Sequence, residues 1–123
     1  MFTKTEKYNR ELIKAMNWLG EQPDTIFLGQ AVRYAGTGMF NSLLDIPDEK
    51  KLEFPVAENF QMGYSTGLAL NGYVPVSIFP RWNFLLCAAD QIVNHLDKLQ
   101  SMSSGKSNPR VIIRVAEIGR AHV

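Results

Sequence analysis

The stretch from Leu52 to Phe84 constrains the fold more than any other part of this 123-residue chain. A short apolar run, Leu52–Phe54, leads into a segment with helical spacing that starts near Glu58. An Asn-Gly pair then suits a helix end, and a β-branched apolar run, Val74–Phe79, follows it. A strand, a helix and a second strand in this order predict a parallel sheet, because parallel neighbours need a crossover connection.

Other apolar segments supply further strands and covering helices. Between Tyr8 and Leu19, apolar residues recur every three or four positions, which predicts an amphipathic helix. The runs 26–29 and 111–115 are typical of buried strands. An apolar stripe across 84–102 predicts one long helix that covers the sheet. The predicted fold class is α/β, with a mostly parallel sheet in a three-layer α/β/α arrangement.

Composition argues against several classes of protein. The formal net charge is +1 and the charged residues are dispersed, so nothing indicates a nucleic-acid surface. The single cysteine, Cys87, excludes a disulfide framework, and its apolar surroundings predict that it packs in the core. The longest apolar run, 84–89, is far shorter than the ~20 residues of a membrane helix, and residues 1–10 lack an apolar signal core. We therefore expect no membrane contact and a cytoplasmic location.

Several linked motifs carry a resemblance to a known family. VAEN around Glu58 is followed by GLALNGYVPV, by the pair Asn83-Phe84 and by ADQIVNHLDKLQSMSSGK. Over residues 8–116 this pattern resembles the pyrimidine-binding domain of thiamine-diphosphate enzymes, and within that group the beta subunit of 2-oxo acid dehydrogenase E1 components. Linked motifs at fixed spacing are far more specific than any one of them alone.

The resemblance implies roles for five residues. Glu58 matches the catalytic glutamate that hydrogen-bonds N1′ of the cofactor's aminopyrimidine, and Phe84 matches the aromatic that stacks on that ring. Val56 and Pro80 match apolar positions that line the ring. Val111 matches a position whose backbone carbonyl helps to bind a structural K⁺. Without the motif, Glu58 and Phe84 would be interpreted as an ordinary helix-start acid and a core phenylalanine.

The resemblance also implies a partner. The Gly-Asp-Gly motif with which the family holds Mg²⁺ and the cofactor's diphosphate is absent from the sequence. An alpha-type subunit or domain would therefore carry that half of the site, in an αβ or α₂β₂ assembly. The implied function is the pyrimidine-binding half of an enzyme that acts on a 2-oxo acid, or on a ketose as transketolases do, inactive alone. The alternative is a non-catalytic interaction domain that retains the fold.

The two ends of the chain lead to different expectations. Residues 1–116 are expected to form a partial pyrimidine-binding domain that is truncated at its C-terminus. Residues 117–123, EIGRAHV, fit neither the family pattern nor a structural unit, so we expect them to be a non-native tail.

Overall fold

A four-stranded parallel sheet forms the centre of the fold. The computed structural model describes residues 1–116, so the expected tail, 117–123, lies outside the described residues. The strands are β1 (Thr25–Gly29), β2 (Lys51–Glu53), β3 (Val74–Phe79) and β4 (Ile112–Val115). Their order is β2-β1-β3-β4, and every neighbouring pair is parallel.

Helices connect the strands and cover both faces of the sheet. The first is α1 (Lys4–Glu21), followed by the short α2 (Gly38–Asn41) and a 3₁₀ turn (Asp48–Lys50). The crossover between β2 and β3 is α3 (Glu58–Leu70). The last helical stretch comprises α4 (Trp82–Leu85), a 3₁₀ turn (Leu86–Ala88), a π-helical segment (Gln91–Leu96) and α5 (Asp97–Met102). Within residues 1–116, no helix is both long and apolar enough to cross a membrane.

Two apolar clusters lie on opposite faces of the sheet. On one face, Met16 of α1 packs with Phe27, Val76 and Ile78 of the strands. On the other, Met62 of α3 packs with Phe79 and with Ala88 of the last helical stretch. Because side chains alternate along a strand, β3 contributes to both clusters. The predicted three-layer α/β/α arrangement is confirmed.

The α3 helix is anchored to the centre of the sheet one turn beyond its start. Gln61 is 1% exposed, and its Nε2 donates to the hydroxyl of Ser77 and to the carbonyl of Ile78, both at 3.0 Å. The helix begins at Glu58, as the sequence predicted, and ends before Gly72, whose φ of +94° suits glycine. The start of α3 is therefore fixed relative to the carboxyl end of β3.

The last helical stretch differs from the single regular helix that the sequence predicted for 84–102. A tight 3₁₀ turn is followed by a wider π-helical segment. The prediction that Cys87 packs in the core is wrong, because the 3₁₀ turn buries Ala88 and leaves Cys87 exposed. The irregular winding still keeps one apolar side against the sheet, formed by Leu85, Ala88, Ile92 and Leu96.

Candidate functional site

A cleft of about 920 Å³ opens at the carboxyl edge of the sheet. Parallel sheets bind ligands at this edge, and the volume falls within the range typical of small-molecule sites. Tyr8 and Leu12 of α1 lie on one side of the cleft. The other walls come from residues at or just after the ends of all four strands, including 30–31, 53–56, 80–81 and 114–116.

Three of the predicted site residues line this cleft together. Val56 is 78% exposed, and Pro80 and Phe84 are half-buried. The guanidinium carbon of Arg81 lies 5.5 Å from the centroid of the Phe84 ring, which is within the range of a cation–π contact. The structure therefore brings an apolar wall, an aromatic ring and a cation to the same place.

Glu58 is close in the chain to this wall but is not among the residues that line the cleft. It is half-buried and is the first residue of α3, where the helix dipole favours a carboxylate. Within residues 1–116, its side chain makes no hydrogen bond and no ion pair.

Val111 lies at the opposite edge of the sheet. It immediately precedes β4 and lines a separate cavity of about 540 Å³ with Thr25 and Val74, which begin β1 and β3. In the part of the chain that the structure describes, no three or more His, Cys, Asp and Glu side chains are grouped to hold a metal ion. The structure thus separates Val111 from the residues predicted for the aminopyrimidine.

Glu53 was not among the predicted site residues, yet its carboxylate clamps the loop after β1, in the sense that it binds three consecutive backbone N–H groups of that loop. It accepts hydrogen bonds from the backbone N–H groups of Ala31 at 3.0 Å and of Val32 and Arg33 at 2.9 Å. Ala31 has a left-handed backbone, with φ of 61°. An acid at a strand end was visible in the sequence, but its partners lie 20–22 residues away. Glu53 therefore fixes one wall of the cleft.

Gly29 allows two strands to approach closely beside the cleft. Its φ is +142°, and a Cβ added there would lie 2.1 Å from the carbonyl oxygen of Ile78. No side chain fits into that space. The carboxyl end of β1 therefore requires glycine.

Arg114 is the second residue of the cleft that sequence analysis missed. It lies in β4 and lines the cleft near Tyr8, and its Nη1 is buried without a hydrogen-bond partner among residues 1–116. Burial lowers the pKa of Arg114, and the charge interaction with Tyr8 opposes that shift. A buried guanidinium nitrogen that lacks a partner is uncommon, because buried polar groups are normally hydrogen-bonded.

No family model matches this chain. The 3-methyl-2-oxobutanoate dehydrogenase subunit beta of Mycobacterium tuberculosis is 30% identical over 121 residues, covering 95% of this chain and 34% of that protein. The mitochondrial pyruvate dehydrogenase E1 component subunit beta of Saccharomyces cerevisiae is 32% identical over 116 residues, covering 91% of this chain and 32% of that protein.

A third relative matches a smaller share of this chain. The pyruvate dehydrogenase E1 component subunit beta of Cyanidium caldarium is 32% identical over 100 residues, covering 78% of this chain and 30% of that protein. The chain spans about a third of the length of these relatives. Its resemblance to E1 beta subunits of 2-oxo acid dehydrogenases is confirmed over nearly its whole length.

Proposed function

We propose that this chain is the pyrimidine-binding part of an E1 beta-type subunit in a thiamine-diphosphate-dependent 2-oxo acid dehydrogenase. One observation carries the proposal: Val56, Pro80 and Phe84, which the family pattern assigns to the aminopyrimidine, line a single cleft at the carboxyl edge of the sheet. The names of the relatives favour a 2-oxo acid over a ketose as the substrate class.

The cleft fits the ring half of this cofactor. Phe84 offers a flat apolar face to a flat heterocycle, and stacking removes water from both. Val56 and Pro80 extend the apolar surface beside it. Thiamine diphosphate, when bound, supplies an electron sink for loss of carbon dioxide from a 2-oxo acid. The role of these three side chains is to orient the aminopyrimidine and to keep water away from it.

Glu58 is the residue that we assign to proton transfer at N1′ of the aminopyrimidine. Gln61 anchors the first turn of α3 to β3, so the position of the Glu58 backbone is fixed. Its carboxylate has no competing partner within residues 1–116. A carboxyl group in contact with N1′ holds or releases a proton there, which is ordinary general acid–base catalysis.

The remaining parts of the site belong to the proposed assembly. By the same resemblance, an alpha-type partner in an αβ or α₂β₂ complex carries Mg²⁺ and the diphosphate, and the backbone carbonyl of Val111 contributes to a K⁺ site. The chain alone is then catalytically incomplete.

The test is a Glu58→Gln variant in a complex with an alpha-type partner. An amide still donates a hydrogen bond to N1′ but cannot transfer the proton. Hydrogen–deuterium exchange at C2 of the bound thiazolium should therefore slow by ~10²–10⁴-fold, while cofactor affinity changes little. Glu49→Gln, which alters an exposed acid, is the control. Equal exchange rates in cofactor-saturated wild type and E58Q would exclude this role and favour a non-catalytic interaction domain.

A further inference from the structure

The cleft carries more positive than negative charge. Its charged lining residues are Arg81, Arg114 and Glu53. Both oxygens of Glu53 already accept hydrogen bonds from the loop after β1. Within residues 1–116, neither arginine forms an ion pair. Two guanidinium groups without a neutralising carboxylate favour an anionic ligand.

Arg114 is the stronger of the two anchors. Its Nη1 is buried and lacks a hydrogen-bond partner in the described part of the chain. Burial of the guanidinium lowers its pKa, and the nearby Tyr8 offsets only part of that shift. Removing a cation from water without pairing it is unfavourable, so a bound anion would relieve a cost that the fold already carries.

We propose that Arg114, with Arg81 on the same cleft, binds the carboxylate of a small 2-oxo acid. This inference rests on the proposed function and names the group that would recognise its substrate. A guanidinium presents two parallel N–H donors that match the two oxygens of a carboxylate.

The first experiment uses the full chain, labelled with ¹⁵N and free of thiamine. The Nε–Hε resonance of each arginine is followed by NMR while 3-methyl-2-oxobutanoate is added. The resonance of Arg114 should shift and saturate, and that of Arg110 should not, because Arg110 is exposed and lies before the start of β4, at the opposite edge of the sheet. Parallel titrations use 3-methyl-2-butanone, which lacks the carboxylate, and inorganic phosphate.

Two variants measure the contribution of the guanidinium. Arg114→Met should raise the Kd for the 2-oxo acid by about tenfold to a hundredfold, as expected for loss of a charge-assisted hydrogen-bonded pair. Arg110→Met, the matched control, should leave the Kd unchanged. The backbone amide spectrum of R114M verifies its fold, and the wild-type Arg114 resonance tests the proposal even if that variant is unfolded.

The proposal is overturned if the Arg114 resonance does not saturate, if the neutral ketone or phosphate shifts it as strongly as the acid, or if a folded R114M keeps wild-type affinity. Because no thiamine is present, these results are independent of the Glu58 experiment. If Arg114 binds the 2-oxo acid but E58Q exchanges the C2 proton at the wild-type rate, only the aminopyrimidine assignment is removed. If C2 exchange is slow in E58Q but Arg114 does not bind the 2-oxo acid, only the role of Arg114 is removed.

Discussion

Two cationic side chains at opposite edges of the sheet, Lys50 and Arg114, differ in their hydrogen bonding. At the amino edge, Nζ of Lys50 donates to the carbonyls of Gly20 and Gln22 and to the hydroxyl of Thr25. At the carboxyl edge, Nη1 of Arg114 has no partner within residues 1–116. The first cation completes hydrogen bonds within the fold, whereas the second has a buried guanidinium nitrogen that the described residues leave unpaired. The contrast separates a cation that stabilises the domain, Lys50, from a cation that is suited to a ligand, Arg114.

The largest expected effect on stability comes from adding a side chain at Gly29, where β1 and β3 approach each other closely at the carboxyl edge. In Gly29→Ala, the new Cβ would collide with the carbonyl of Ile78, and the backbone would have to leave a conformation that only glycine adopts readily. The free energy of unfolding should fall by about 3 kcal/mol or more. Urea denaturation followed by circular dichroism measures this change.

Gly67→Ala is the matched control for that substitution. A Cβ at Gly67 meets nothing within 4 Å, and the residue lies inside α3. This change should be neutral or should stabilise by up to about 1 kcal/mol through helix propensity. If both variants lost stability equally, the close approach of β1 to β3 would not be what requires glycine at position 29.

The next effect compares the two cations directly. Lys50→Met removes a donor from three oxygen acceptors, although the Gln22 carbonyl still accepts from the hydroxyl of Thr25, so the free energy of unfolding should fall by about 1–3 kcal/mol. Arg114→Met removes a guanidinium with a buried, unpaired nitrogen, so stability should change by less than about 1 kcal/mol or should rise. Equal losses in the two urea transitions would contradict the distinction between the edges.

The smallest effect concerns pH and the start of α1, close to the cleft residue Tyr8. The Glu6 carboxylate accepts a hydrogen bond from the backbone N–H of Thr3, and this bond, together with the interaction with the Thr3 side chain, lowers the pKa of Glu6 below its ordinary value of 4.5. A lowered folded-state pKa means that the carboxylate stabilises the fold above the unfolded value. That contribution disappears as pH falls through the folded value.

Glu6→Gln should therefore have a slightly lower Tm than wild type at neutral pH, and the two Tm values should converge well below pH 4.5. Glu21→Gln, at the other end of α1, should show no such convergence because its carboxylate makes no capping hydrogen bond within residues 1–116. A Tm difference for E6Q that persists in acid would indicate lost packing instead. Convergence of the two Tm values in acid would show that the Glu6 carboxylate stabilises the start of α1 through its capping hydrogen bond.

The sequence predicted those parts of the fold whose signals are local. The apolar run of β3 and the start of α3 at Glu58 are set by neighbouring residues, and both were predicted correctly. The π-helical segment was missed because its winding depends on packing against the sheet rather than on periodicity.

The candidate site divides in the same way. Val56 and Phe84 were recognised from linked motifs, and the structure places both at the cleft. Glu53 and Arg114 were missed because their significance depends on contacts that spacing does not reveal. Glu53 accepts hydrogen bonds from a loop 20–22 residues away, and Arg114 has a buried nitrogen without a hydrogen-bond partner within residues 1–116.

The clamp of Glu53 has a further consequence for ligand selectivity. Three consecutive backbone amides that converge on one point form a nest, which proteins commonly use to hold phosphate or another anion. Here the nest of Ala31, Val32 and Arg33 already contains an anion that the chain itself supplies. An incoming anion cannot use main-chain donors at that wall and must rely on the side chains of Arg81 and Arg114. The Glu53 carboxylate thus occupies the main-chain anion site of the loop, which leaves the guanidinium groups as the donors for an incoming anion.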